Sequence, residues 1–488
     1  MINKNVMAVA VAAALAAPVA AFAQASNVQI YGTIDMSVEQ VWLKSTTVAT
    51  VNSAAAASPV VGGQGKNDLY SQSSRLGFKG TEDLGNGLKA WFQVESGLGM
   101  GRDNGMTNAL AGRNSAVGLE GGFGNVFIGH WDTPYKNAMT SVMGNYGGGW
   151  LQHNGMLLGG GTDSTGTLPN NGCDNMGASQ NANISSVATN CGQVEGNGTS
   201  FHRRVTNVMQ YWTPRMSGVQ GKFAYVGNGT KSDSTTNIAP TLGSPAVQPN
   251  SPTLFSMDLN YAAGPLTAGI AHERHNGFRA TGTWSNAPSA TGAVATATSL
   301  STNNAAQDTA TQIYGSYDFG AVKIQANYES LSYGDTAIAT AAAPGVTLGG
   351  NNFKRDAWFL GASAPIGNGR VFGGYSTTSG NKSCGSLGVN TANTANTQGA
   401  GVINNITATT SANFFCGGDT GSTAYTLGYE YSLSKRTSVY TTYMNVDNKQ
   451  YASFQPVVAK AGVNGAGLGA GLTGQDMSAI NMGMKHSF

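Results

Sequence analysis

Between residues 321 and 329, Val322, Ile324, Ala326 and Tyr328 alternate without a break with Lys323, Gln325, Asn327 and Glu329. Period 2 is the signature of a strand with one apolar and one wet face. The pattern returns along the chain. Ile30, Ile34, Met36 and Val38 alternate with Tyr31, Thr33, Asp35, Ser37 and Glu39; Phe255, Met257, Leu259 and Tyr261 with Ser256, Asp258 and Asn260; Tyr425, Leu427, Tyr429 and Tyr431 with Thr426, Gly428 and Glu430. A β-sandwich also alternates, so the connections must decide the fold.

Strong strand segments come in pairs joined by very short turns, and the pairs are separated by long polar stretches. Seven such turns fall near Gly85-Asn86-Gly87, Gly122-Phe123-Gly124, 214–218, Ala263-Gly264-Pro265, Gly320, 365–369 and Ser434-Lys435. Seven hairpins, with one strand before them at about 28–41 and one after them at about 476–488, predict sixteen strands. An even number lets the first and last strands pair antiparallel, so the sheet closes and no edge is left unsatisfied in lipid. The loops, near 44–70, 99–112, 136–202, 228–251, 277–306, 334–352, 381–421 and 450–475, all fall on the opposite side from the turns. The tracts 336–343 and 462–474 are low-complexity loop and predict no structure of their own. The fold class predicted is all-β, a transmembrane 16-stranded antiparallel β-barrel in one domain, wide enough for an aqueous lumen. Trp42, Tyr261, Tyr317, Phe319, Tyr328, Trp358 and Tyr375 sit where interfacial girdles belong.

The compartment agrees. Lys4 precedes an Ala- and Val-rich stretch that ends in Ala21-Phe22-Ala23, the pattern of a cleaved signal peptide over 1–23. Its removal takes away one lysine and leaves the barrel domain at 24–488 with 25 basic against 24 acidic side chains. That balance gives no polybasic surface for nucleic acid. Charged residues make up 10% of the chain, far below the roughly 25% of soluble domains. After residue 23 no apolar run approaches the length of a helical span. An exported, charge-poor, Gly-rich β chain belongs in a bacterial outer membrane.

Specific motifs then resemble a family. The run Ser74-Arg75-Leu76-Gly77-Phe78-Lys79-Gly80-Thr81-Glu82-Asp83-Leu84-Gly85-Asn86-Gly87 is similar to the second hairpin region of Gram-negative general diffusion porins of the β-proteobacterial branch. So are Ile30-Tyr31-Gly32, Val117-Gly118-Leu119-Glu120-Gly121-Gly122-Phe123-Gly124-Asn125, Tyr431-Ser432-Leu433-Ser434-Lys435-Arg436-Thr437 and the ending Gly483-Met484-Lys485-His486-Ser487-Phe488. The resemblance implies a homotrimer of water-filled channels for passive diffusion of ions and small hydrophilic solutes, set in outer-membrane lipid and lipopolysaccharide. It implies that the outer-membrane assembly machinery reads Phe488. It also implies that the third loop, about 136–202, folds towards the lumen with carboxylates facing a basic wall. On that pattern the wall is Arg75, Lys79, Arg204 and, in place of a usual arginine, His130, whose imidazole is mostly neutral at pH 7 when unperturbed. The loop supplies Asp163, Asp174 and Glu195 and has no Lys or Arg over 137–202.

Cys173 and Cys191 fall in the third loop, Cys384 and Cys416 in the seventh. Exported loops favour disulfides, and pairing within each loop is the simplest of three connectivities. Trp131, Tyr135, Tyr146 and Trp150 gather at the start of the third loop, where aromatic faces would suit sugar rings at a constriction and would merely anchor at an interface. No enzymatic chemistry emerges. His272-Glu273-Arg274-His275 lacks the zincin spacing and lies on a strand, the Gly-rich tracts lack a phosphate-loop context, and no nucleophile elbow is present. Neither cofactor nor metal is called for. The alternative reading is a barrel acting mainly as an adhesin or receptor through its long loops.

Overall fold

The computed structural model describes residues 28–44, 65–72, 74–100, 110–143, 153, 201, 204–227, 253–276, 307–333, 353–379, 421–449 and 476–488, with four short strand segments in two of the intervening loops. Sixteen antiparallel strands make one closed sheet. They are β1 (Gln29–Leu43), β2 in two segments (Gly65–Ser71 and Arg75–Gly85), β3 (Leu88–Gly97), β4 (Ser115–Gly121), β5 (Gly124–Asp132), β6 (Arg204–Trp212), β7 (Val219–Gly227) and β8 (Thr253–Ala263). The remainder are β9 (Leu266–Asn276), β10 (Gln307–Asp318), β11 (Lys323–Tyr333), β12 (Phe353–Ile366), β13 (Gly369–Thr378), β14 (Ser422–Ser432), β15 (Thr437–Asn448) and β16 (Met477–Ser487). Each strand pairs with its sequence neighbour, and β1 closes the circle on β16 with Met36 opposite Met484. All seven predicted turns lie at one end. Gly85, Asn86 and Gly87 all have positive φ, the left-handed backbone that tight hairpins require and glycine and asparagine tolerate.

The alternation reads as predicted, with the usual inside and outside exchanged. Large apolar side chains lie exposed on the outer face, among them Ile30, Ile128, Met257, Ile313, Leu360, Leu427 and Met484. An apolar band of this extent is uneconomical in water and suited to lipid. All seven aromatics named above stand on this face or in its turns; Tyr328 and Trp358 pack with ring centroids 4.3 Å apart.

Three features depart from the sequence reading. The first loop is shorter, because β2 continues up to Gly65 beyond a break at 72–74, where the register on β1 slips from Met36–Ser71 to Thr33–Arg75. At the break the Ser74 hydroxyl replaces ladder bonds, accepting from the Asp35 N–H at 2.9 Å and donating to the Asp35 carbonyl at 3.0 Å. The tract 336–343 is not wholly unstructured: Ile338–Ala339 pairs with Thr347–Leu348 across a stretch containing the turn-forming dipeptide Pro344-Gly345. Trp284–Pro288 and Val294–Ala297 form a similar short pair in the loop before.

The third departure is a helix, α1 (Pro134–Met143), after β5. Pro134 opens the first turn, and the Thr133 hydroxyl caps it by accepting from the Lys136 N–H at 3.3 Å. Tyr135, Ala138, Met139 and Val142 recur at i, i+3, i+4 and i+7, and all four are buried. They pack with Phe201 against Ala271, Ala310, Tyr314, Leu331, Phe359 and Phe372, so the apolar core lies inside the barrel, between the third loop and the inner wall of β9–β13. The signal segment 1–23, the carboxylates Asp163, Asp174 and Glu195, and Cys173, Cys191, Cys384 and Cys416 lie outside the described residues.

Candidate functional site in the barrel lumen

The third loop is fastened to the wall by specific hydrogen bonds. The Tyr135 N–H donates to Ser256 Oγ at 3.1 Å, its hydroxyl donates to Glu329 Oε1 at 2.5 Å, and its carbonyl accepts from Gln312 Nε2 at 2.7 Å. Gln325 Nε2 donates to the Val142 carbonyl. Further along, His153 Nδ1 lies 2.7 Å from Ser376 Oγ and Nε2 2.9 Å from Thr426 Oγ1, beside the Phe359 ring. Burial holds the His153 imidazole down at about 3, so a neutral ring bridges the two hydroxyls. Phe201 stacks on His275 at 4.4 Å, and His275 Nε2 lies 2.7 Å from Glu273 Oε1. The His272–His275 motif is thus split by the strand: Glu273 and His275 face the loop, while His272 and Arg274 face outward.

Opposite these anchors, the wall of β1–β6 carries a belt of charge at mid-height. Arg75, aimed inward directly after the β2 break, has Nε 3.8 Å from Glu95 Oε2. Arg113 Nε donates to Glu95 Oε1 at 2.6 Å, and the Tyr31 hydroxyl donates to Oε2 at 3.0 Å. Asn114 Nδ2 carries the belt on to Asp132 Oδ2 at 3.0 Å. On Asp132 converge Arg204, with Nε 3.2 Å from Oδ1, and Lys136, with Nζ 2.8 Å from Oδ1. The chain curls into the lumen here, since Gln210, on the inner face of β6, donates to the Asp132 carbonyl at 2.9 Å. Arg204 stands beside a second irregularity, where the register between β5 and β6 shifts and Asn207 takes positive φ. Both wall arginines are therefore aimed by a bulge. Burial is the largest influence on Lys136 and holds its ammonium down at about 8; Asp132 pulls the other way and Arg204 adds to the depression.

Among the described residues, Arg75, Arg113, Arg204 and Lys136 gather on the two carboxylates Glu95 and Asp132. A cation-rich wall along an aqueous gap biases which ions enter. Of the wall residues read from the sequence, Arg75 and Arg204 lie in this belt. Lys79 is also on the inner face, but four residues nearer the turns, with Nζ 5.2 Å from the centre of the Tyr31 ring. His130 sits at the β5 irregularity between Gly129 and Trp131, half-buried opposite Ser115.

The sequence reading missed Glu95, Arg113, Asn114, Asp132 and Lys136. Glu95 was in phase with the inward Trp91 and Gln93; the others lie at strand ends, where period 2 gives no facing. Phe488 closes the barrel at the turn end. Its N–H and carbonyl exchange 3.1 Å bonds with Gly32, and its ring lies where a side chain at Gly32 would be.

Residues 8–451 match the family model described as Gram-negative porin. The chain is 26% identical over the full length of both chains to outer membrane porin protein 32 of Delftia acidovorans. It is 40% identical over 136 residues, 28% of this chain and 35% of the relative, to major outer membrane protein P.IB of Neisseria meningitidis serogroup B. Among solved structures it is similar to an anion-selective porin from Comamonas acidovorans, with a TM-score of 0.55, 20% identity, and 95% and 100% of the two chains covered.

Proposed function

Starting from the premise that this chain belongs to the Gram-negative porin family and is an outer-membrane channel, we propose that solutes pass by diffusion between the third loop and the charged belt, with a preference for anions. The gathering of Arg75, Arg113, Arg204 and Lys136 in one belt on the lumen wall carries this reading. The Comamonas porin of similar fold is described as anion-selective. Passage needs no bound cofactor and no covalent step. The positive rim draws an anion in, and the neighbouring carboxylates keep it from binding too tightly to leave.

The working unit is a homotrimer in which β16 and β1–β5 face the partners. Among the described residues, every outward tyrosine lies on β6–β15, including Tyr211, Tyr261, Tyr375 and Tyr425, whereas Ile30, Val38, Val117, Ile128 and Met482 cover the outside of β16 and β1–β5. Interfacial tyrosine anchors a face to lipid headgroups, and a face buried against another copy needs none. Exposed Arg274 and Lys354, at the long-loop ends of β9 and β12, offer cations to lipopolysaccharide. Residues 1–23 serve as the export signal, and Phe488 as the mark read during assembly. Addition of the purified protein to a planar lipid bilayer tests the channel reading: stepwise current increments are expected, and none at any protein concentration would overturn it.

A further inference from the structure

Below the belt, the inner wall carries four aromatic rings. Trp91 on β3, Phe127 and Trp131 on β5 and Trp212 on β6 contact one another edge to face, with centroids 5.3 Å apart for Trp91–Phe127, 5.9 Å for Trp91–Trp131, 5.1 Å for Phe127–Trp131 and 5.4 Å for Phe127–Trp212. Phe127 is 1% exposed and forms the floor; the three indoles around it keep part of their surface open. Alternation puts Trp91, opposite Gly118, and Phe127, between the outward Val126 and Ile128, on the inner face, and ring contacts hold Trp131 and Trp212 beside them. An apolar surface in the wet lumen calls for an explanation, because the same face of β3 and β5 otherwise carries Lys89, Gln93, Glu95 and Asn125.

The rings are fixed in orientation. Trp91 Nε1 donates to Asn125 Oδ1 at 2.9 Å, and Trp212 Nε1 to Gln210 Oε1 at 3.0 Å. Gly118 lets them lie against the wall, since a side chain there would come within 2.6 Å of Phe127 Cβ and 2.7 Å of the Trp91 ring. Lys222 Nζ stands 5.0 Å from the Trp212 ring centre and caps that indole. Trp91 and Trp131 are left as the open platform, with the amides of Gln93, Asn125 and Gln210 alongside. Indole faces set among neutral amides match a ring that is apolar on its flat side and hydroxylated at its edge. Two indoles also cover more of such a ring than a point charge could orient.

We propose that Trp91 and Trp131, braced by Phe127, form a stacking subsite for a pyranose sugar between the charged belt and the turn end of the barrel. The inference rests on the channel reading and adds a substrate class to it. Solutes that clear the belt then meet a weak, ring-selective surface on their way out. Tyr135, which the sequence groups with Trp131, takes no part because it is buried between α1 and the wall of β9–β13.

The test is current through the protein in a planar bilayer while maltotriose is added, with polyethylene glycol of matched size as control. Saturable block by the sugar and not by the glycol is expected. Trp91→Leu with Trp131→Leu keeps apolar volume but removes the ring faces, and should raise the half-blocking concentration about tenfold or more. Trp91→Phe with Trp131→Phe should retain most of the block. Equal block by glycol and sugar, or unchanged block in the leucine variant, overturns the subsite. If the double leucine variant does not assemble, the single Trp131→Leu and Trp131→Phe variants make the same comparison. Normal current without sugar block refutes this inference alone, whereas absence of current refutes the channel reading.

Discussion

The two halves of the barrel share one sequence rule and put it to different uses. On β8–β13 the inner face is covered: the apolar stripe of α1 and Phe201 press onto Ala271, Ala310, Leu331 and Phe372. On β1–β6 the inner face is open to the lumen and carries the belt and the indole platform. Outside, the relation is reversed in kind, with tyrosines ringing β6–β15 and, on β16 and β1–β5, mostly aliphatic side chains with Trp42 and Phe92 but no tyrosine among the described residues. One half supplies a fixed floor for the third loop, and the other supplies the chemistry a solute meets. Strand periodicity builds both, and what lies against each face decides which is which.

The largest effect should come from unseating the loop. Tyr135→Ala deletes a fully buried ring and its hydroxyl bond to Glu329, leaving only the backbone bonds to Ser256 and Gln312, a loss of about 3–5 kcal/mol by analogy with buried aromatic truncations. Noisier and larger single-channel currents are expected; steps as quiet as the wild type's would show that α1 does not hold the loop. Tyr135→Phe keeps the ring but leaves Glu329 without its 2.5 Å donor, and should cost about 1–3 kcal/mol, read as a lower unfolding temperature in detergent.

A pair of outer-face charges separates the halves more sharply. Ile128→Arg, on the aliphatic side, should break the trimer in unheated gel electrophoresis. Leu427→Arg, among the tyrosines, should leave the trimer intact while lowering barrel stability by about 2–4 kcal/mol, the usual cost of an arginine facing lipid near the midplane. Trimers surviving in both variants would contradict the assigned interface.

The smallest effect is a pH dependence. Lys136 is held down at about 8, so it is charged below that pH and neutral above it. Anion preference should weaken as the pH rises from 7 to 9, and Lys136→Arg should flatten the change. Reversal potentials measured across that range decide the point.

Much of this was legible in the sequence. Alternation and tight turns yield all sixteen strands, because lipid outside and water inside make the period-2 pattern unusually clean, as along Lys323–Tyr333. Arg75 follows from its phase against Leu76 and Phe78. The helix was present in the spacing of Tyr135, Ala138, Met139 and Val142, but a Gly- and Asn-rich neighbourhood masks a ten-residue signal. His130 was assigned to the wall by resemblance, and the register shift between Gly129 and Trp131 removes the alternation that would give its facing. Asp132 and Lys136 were illegible for another reason: their facing depends on the register shift near the end of β5 and on the chain curling inward there, which no local pattern records.

The central claim is that a belt rich in arginine and lysine, on the half of the barrel facing the third loop, sets the ion preference. The zero-current potential across a bilayer separating dilute from concentrated potassium chloride reads it directly. The wild type should show the sign of anion preference, and Arg75→Glu with Arg204→Glu, which exchanges two positive wall charges for two negative ones, should reverse it. An unchanged potential in that variant, with current steps still present, would contradict the account.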